Sequence, residues 1–200
     1  MKIFMDTEFT SLSKEAELIS IGLVSVDGRT FYAELTDYDK GKVNDWVKEN
    51  VIDNLLFIED DYCVSAKHLV KDNIIDEDSD EEVTLSYCCG FDTEMKGDKK
   101  AVAKELKRWL EQFKDVQIWS DCLAYDWVLF VDLFGTAFDL PENVSYIPLD
   151  ICTMFEMKYI DPDISREAFI NNVVVGTKHN ALYDAMVIRE CYKKLLNIHL

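Results

Sequence analysis

An α/β fold with a mixed central β-sheet and flanking helices is what this sequence predicts, on three observations. The first is three short apolar runs at the N-terminus: residues 2–8, "LISIGLVSV" at 18–26 and "TFYAEL" at 30–35. The second is the Asp27-Gly28-Arg29 junction between the last two, since aspartate-glycine between β-prone runs marks a hairpin and makes the three runs an antiparallel meander. The third is an alternation of helical and strand-like segments through the second half, which adds strands of the other polarity and helices to cover them.

Taken in order, "NDWVKENVIDNLL" reads as helical. From Asp98 to Phe113 the apolar positions Ala101, Val102, Leu106, Trp109, Leu110 and Phe113 recur at helical spacing. "VQIW" then reads as a buried strand, "CLAYDWVLFVDLF" as a helix and "VSYIPL" as a further strand. Short helices are expected at 150–158 and 165–171, and a last helix from about Asn180 to Leu196. Residues 1–200 are read as one domain, carrying an acidic insertion at about 59–97 with a strand at "EVTLSYCC".

Composition narrows the class of protein. The chain has 200 residues, and 48% hydrophobic content suffices for a core of its own. Six cysteines occur without CxxC or histidine-paired zinc spacing, which indicates reduced thiols and a cytoplasmic setting. No run of about 18 apolar residues appears, so no membrane association is expected. The net charge of −18 opposes a large basic footprint of the kind that tracks a duplex backbone. Residues 59–82 alone hold ten acids against Lys67 and Lys71. Within them "DEDSDEE" begins like a calcium loop, but Glu81 stands where glycine is required and Tyr87 where the closing glutamate belongs, so it reads as a solvated acidic loop.

The chemistry lies in acids that occupy apolar positions. On a strand, Phe4, Asp6 and Glu8 share one face, while Ile3, Met5 and Thr7 share the other. No lysine or arginine stands between Lys2 and Lys14 to neutralise the two carboxylates. Either the strand ends at Met5 and both acids are solvated, or a divalent cation holds them. The last helix repeats the anomaly: Ala181, Asp184, Ile188, Cys191 and Leu195 form one stripe. So does the helix at 122–134, where Asp126 lies among Leu123, Trp127, Phe130 and Phe134. A single acid on an apolar stripe is usually a cap or an ion-pair partner. Four from three separated segments, Asp6, Glu8, Asp126 and Asp184, make a metal cage suited to two divalent cations. His179, five residues before Asp184, would point about 140° away from it on a continuous helix. It is therefore expected in the loop or first turn, over the cage, where a near-neutral pKa suits a general base.

These residues resemble a known family. "DTEF" near the N-terminus, "AYD" in a later helix and "HNALYDA" near the C-terminus, in this order and spacing, are similar to the motifs of DEDDh 3'-5' exonucleases in the ribonuclease H-like superfamily. The tyrosine of the DEDDy branch would fall at Asn180, so that branch does not fit. Many members carry asparagine four residues before the second-motif aspartate. Here that position is Cys122, preceded by Asp121, a weaker rival of Asp126 as ligand.

The resemblance implies a ribonuclease H-like fold and two Mg²⁺ ions, with Mn²⁺ as substitute. It implies that Asp6, Glu8, Asp126 and Asp184 hold the ions and that His179 takes the proton of the attacking water. Thr7, Phe9, Leu12, Tyr125 and Lys178 are the candidate substrate contacts, although each aromatic has an equally good role in the core. The compact layout and the "DTEFTSL" opening look most like small bacterial or phage exoribonucleases that trim single-stranded 3' ends, which favours RNA over DNA. A DNA exonuclease of the same family is the alternative; homodimerisation is left open. The rival of another class, an acidic mimic of nucleic acid, accounts for the charge but leaves the inward carboxylates and His179 unused. An inactive metal-binding relative is disfavoured because no motif acid is missing.

Overall fold

The computed structural model describes residues 1–57, 83–89 and 92–198. The N-terminal meander forms as expected: β1 (Lys2–Phe9), β2 (Leu18–Ser25) and β3 (Thr30–Leu35) pair antiparallel in sequence. Gly28 adopts φ 101° in the β2–β3 turn, a left-handed conformation that costs glycine little. The helix α1 (Asp45–Asn50) is capped by the Asn44 side chain and gives way after Val51 to a 3₁₀ turn at Ile52–Asn54. Then come β4 (Val83–Cys89), β5 (Asp92–Gly97), α2 (Lys99–Leu110), β6 (Gln117–Ser120), α3 (Leu123–Phe134), β7 (Leu149–Asp150), α4 (Ile151–Met157), α5 (Arg166–Phe169) and α6 (Ala181–Leu196).

The seven strands form one mixed sheet in the order β4-β5-β3-β2-β1-β6-β7. β6 joins β1 in parallel, β7 joins β6 in parallel, and β5 joins β3 in parallel. Helices cover both faces. Ile3 and Met5 of β1 pack with Val102, Leu106 and Trp109 of α2 and Leu129 and Phe130 of α3. Phe4, one residue out of step, packs on the other face with Ile151 and Phe155 of α4 and Ile188 and Cys191 of α6. The parity read from the sequence is thus the parity of the sheet. β1 is fully flanked, which places Asp6 and Glu8 in the middle of the fold, on the α6 face.

One expected segment gains structure and another loses it. Residues 92–97, assigned to the insertion, form a strand that carries Met95 into the core, and β4 pairs with it at the sheet's edge. The described residues of this stretch, 83–89 and 92–97, are thus sheet. The acidic residues 58–82, with the rejected calcium loop and His68, lie outside the described residues, as does His199. The strand expected over 144–149 shrinks to β7 and an isolated bridge between Val144 and Val116. Ser145 Oγ accepts the Ile147 N–H at 3.2 Å, and Pro148 has no N–H to offer, so the backbone turns instead of pairing.

Candidate metal centre and active site

Three elements converge at one end of β1. α6 arrives over the strand face that bears Asp6 and Glu8; Asn180 caps it by accepting the Tyr183 N–H at 3.2 Å. Asn180, at the position that the DEDDy branch fills with tyrosine, is thus the helix cap. Asp184 sits in the helix's first turn, one turn inside the cap. From the opposite side of the sheet, α3 starts just after β6 and brings Asp126 to the end of β1.

Asp126 is buried and both of its oxygens are held: Oδ1 by the Thr7 hydroxyl at 2.6 Å, Oδ2 by the Ser120 hydroxyl. Thr7 faces α3, as the alternation requires, and is 4% exposed. Its side chain, expected at the substrate, is instead spent on orienting Asp126. Asp6 is 8% exposed, and its carboxylate accepts no hydrogen bond and no ion pair from any described residue.

His179 stands outside α6, immediately before the cap, with φ 63°. Its backbone N–H donates to Asp184 Oδ2 at 2.8 Å, and its ring Nδ1 lies 4.0 Å from Glu8 Oε1. The loop that carries it is pinned from the α1 side. Asn54 Nδ2 donates to the Lys178 carbonyl, Asn180 Nδ2 donates to the Asn54 carbonyl, and the Trp46 ring meets His179 edge-on at 5.1 Å. The expectation that His179 lies before the helix and over the acids describes what is seen.

The donor atoms fall into two groups, each with its members within 4.8 Å of one another: Glu8, His179 and Asp184 in one, Asp6, Asp121 and Asp126 in the other. Asp6 and Glu8 are two residues apart on β1, so the groups adjoin. Burial, followed by repulsion from Asp126, Asp184, Glu8 and Asp121, holds the Asp6 pKa well above the usual carboxylate range. Burial, then Asp184 and Asp126, pushes Glu8 up to about 8. Burial likewise raises Asp126 to about 7 against the opposing hydroxyl bonds, and Asp184 to about 7 against the His179 N–H. Carboxylates this repulsive, one of them buried with no donor among the described residues, are the chemistry that hard divalent cations satisfy. The residues present therefore fit such ions: either group supplies oxygen donors of the right kind. His179 moves the other way, its pKa lowered by burial and by Lys178, against Glu167.

The remaining candidates are dispersed. Phe9 and Tyr125 are half-buried and stack on each other at 5.5 Å, beside the acids. Leu12 is 70% exposed. Lys178, expected to reach a phosphate, is exposed and ion-paired with Glu167 at 3.4 Å. Sequence reasoning missed Ser120, Trp46 and Arg166. Ser120 was detectable in principle, because it ends a strand six residues before Asp126. Nothing local marks the other two.

Comparison with known proteins fits this arrangement. The curated 3'-5' exoribonucleases Rv2179c and MT2234.1, from two strains of Mycobacterium tuberculosis, are each 44% identical over 55 residues. That segment is 28% of this chain and 33% of theirs, so the match spans about a third of those relatives. Among solved structures, S. pombe Pop2p in its Mg²⁺- and Mn²⁺-bound form superposes with a TM-score of 0.60 at 12% identity, over 97% of this chain and 82% of that one. The likeness shows the fold, which is ribonuclease H-like. The profile of the 3'-5' exoribonuclease Rv2179c-like domain matches residues 80–196, the part that holds Asp121, Asp126, His179 and Asp184. This match extends over more than half of the sequence, and the chain belongs to the 3'-5' exoribonuclease Rv2179c-like domain family.

Proposed function

We propose that this protein is a 3'-5' exoribonuclease that removes nucleotides from the 3' end of single-stranded RNA by two-metal hydrolysis. The observation that carries the reading is the junction on β1 of two donor groups, which together bring five carboxylates and His179 to one place. Family membership, the names of the mycobacterial relatives and the Mg²⁺ and Mn²⁺ of Pop2p support it.

Asp6, Glu8, Asp126 and Asp184 would hold the ions. When bound, these supply activation of water and neutralisation of charge at the scissile phosphate. That local positive charge answers the objection raised by a net charge of −18. Water attacks phosphorus in line; a P–O bond forms as the bond to the 3'-oxygen of the preceding nucleotide breaks, releasing a nucleoside 5'-monophosphate, and the 3'-oxygen takes a proton from solvent to become the new 3'-hydroxyl. His179, whose pKa burial lowers, takes the proton of the attacking water. Thr7 and Ser120 keep Asp126 in one orientation while this happens, and Trp46 and Asn54 hold the His179 loop. Phe9 and Tyr125 offer aromatic surface beside the site for unstacked bases.

The test is digestion of matched single-stranded RNA and DNA, labelled at the 5' end, with Mg²⁺ and then Mn²⁺. A ladder shortening from the 3' end on RNA is the expected result. Preference for DNA would reassign the substrate. Undiminished cleavage by metal-free protein in chelator would overturn the two-metal reading.

A further inference from the structure

Asp121 and Arg166 are joined across the fold, and neither has a part in the mechanism above. We propose that Asp121, tethered from behind by Arg166, is a third carboxylate for the ion held by Asp6 and Asp126. This rests on the two-metal reading and adds to it a ligand and the residue that positions it.

Asp121 lies in the short link between β6 and α3, and one of its oxygens belongs to the donor group of Asp6 and Asp126. Its Oδ2 accepts from Arg166 Nε at 3.3 Å, which fixes the carboxylate as a whole. Three carboxylates so close repel one another, and a side chain on a link has the freedom to swing away. Arg166 removes that freedom. Among the described residues it is the one lysine or arginine in ion-pair contact with a carboxylate of either donor group.

Arg166 is itself fixed at every point of its fork. Nη1 donates to the Ile164 carbonyl at 2.7 Å, Nη2 reaches Cys152 Sγ at 3.0 Å, and the guanidinium lies 4.8 Å from the centre of the Phe155 ring. Its side chain is 16% exposed, so it is a strut behind Asp121 rather than a cation presented to solvent.

The other two members of the group leave room for a third donor. Asp126 has a hydroxyl hydrogen bond on each oxygen, which uses part of its capacity to accept. Asp6 is more than nine-tenths buried, and its carboxylate has no hydrogen-bond partner among the described residues. Asp150, nearby, does not compete: its carboxylate caps α4, accepting the Cys152 and Thr153 N–H groups and the Thr153 hydroxyl.

The experiment is a titration of the metal-free, full-length protein with Mn²⁺, reading free ion by electron paramagnetic resonance, for wild type, Asp121→Asn, Arg166→Gln and Asp150→Asn. Wild type is expected to bind two ions. Asp121→Asn should weaken one of them at least tenfold and leave the other near its wild-type affinity. Arg166→Gln should weaken the same ion by about 10- to 100-fold, the usual effect of losing a partner that orients a ligand. Asp150→Asn, which removes a neighbouring charge without touching the donor group, should leave both unchanged. Wild-type affinity in Asp121→Asn would overturn the ligand assignment and make the pair a structural salt bridge; wild-type affinity in Arg166→Gln would overturn the tether. Should Asp121→Asn not fold, Asp121→Glu takes its place: moving the carboxylate by one methylene should weaken the same ion, and unchanged affinity would overturn the assignment. A wild-type protein that binds no Mn²⁺ would instead bring down the two-metal reading and this inference together.

Discussion

Gly22 lies directly beneath Ala181: a Cβ built on the glycine would fall 2.3 Å from the Ala181 carbonyl carbon. Gly22 is the partner of Asp6 across the β1–β2 ladder, so the missing side chain is missing beside the site. The close approach seats the first turn of α6 on the sheet and brings Asp184 to Glu8. Gly22→Ala must lift that turn, because the obstructing atoms are backbone. The expected cost is about 1–3 kcal/mol of stability, the usual range for overpacking, with weakened Mn²⁺ binding. Gly28→Ala, strained at φ 101° but remote from the acids, should lose stability without losing the ion. Urea unfolding and Mn²⁺ titration of the two variants decide; equal Mn²⁺ affinity in Gly22→Ala and wild type would show that the contact does not place Asp184.

The charge cluster makes a prediction about pH. Asp6, Glu8, Asp126 and Asp184 have folded pKa values raised above their ordinary 3.8 and 4.5. The stability they contribute is present while they are protonated, below about pH 4, and is lost as pH rises through the folded values, towards the 8 of Glu8. Asp184→Asn takes one charge out of the cluster and keeps an oxygen for the His179 N–H. Its metal-free form should therefore gain stability over wild type progressively between pH 4 and 8, reaching a few kcal/mol, while its turnover falls to background. The difference between the two thermal-unfolding curves isolates the site, since all other carboxylates cancel. A metal-free Asp184→Asn less stable than wild type at pH 8 would mean that Asp184 is a structural salt-bridge partner.

Metal should reverse that trend. Ions bind the ionised carboxylates of the folded protein, so saturating Mg²⁺ should raise the wild-type melting temperature more at pH 8 than at pH 5. Asp6→Asn, which alters the residue adjoining both donor groups, should lose most of this increment. Mg²⁺ that raises the melting temperature equally in the two proteins at both pH values would be acting outside the site.

What could be read from the chain alone was what depends on local period. The parity of Phe4, Asp6 and Glu8 and the helical spacing of Asp126 and Asp184 are short-range facts, and they gave the four carboxylates. His179 followed from its five-residue offset. The same parity argument assigned Thr7 to the face away from the acids, yet α3 crosses that face and turns Asp126 back to it. The Arg166–Asp121 pair, 45 residues apart, leaves no periodic trace. β5 was hidden by composition: it follows a long acidic run and was counted with it. "VSYIPL" misled for the opposite reason, since its apolar content suits a strand while Ser145 and Pro148 take its backbone out of the ladder.

The last prediction separates base from ligand at His179. Its ring nitrogen is 4.0 Å from Glu8 and stands in a donor group with Glu8 and Asp184, so geometry alone permits either role. Its backbone, however, lies outside α6 and donates to Asp184, Asn54 holds the neighbouring Lys178 carbonyl, and Trp46 packs edge-on against the ring, so the ring is oriented without need of an ion. A base that only deprotonates water should cost about 10²–10⁴ in rate when His179 becomes alanine, with Mn²⁺ affinity close to that of wild type. Burial lowers its pKa, so the wild-type rate should climb with pH through a limb lying below the ordinary 6.5, and His179→Ala should lack that limb. The sign follows from the role: the neutral ring accepts the proton, so rate rises as the ring deprotonates. Metal titration of activity then decides between the roles. A variant that regains full rate in excess Mn²⁺ would make His179 a ligand, whereas a plateau two to four decades below wild type at saturating metal is what a missing base leaves behind.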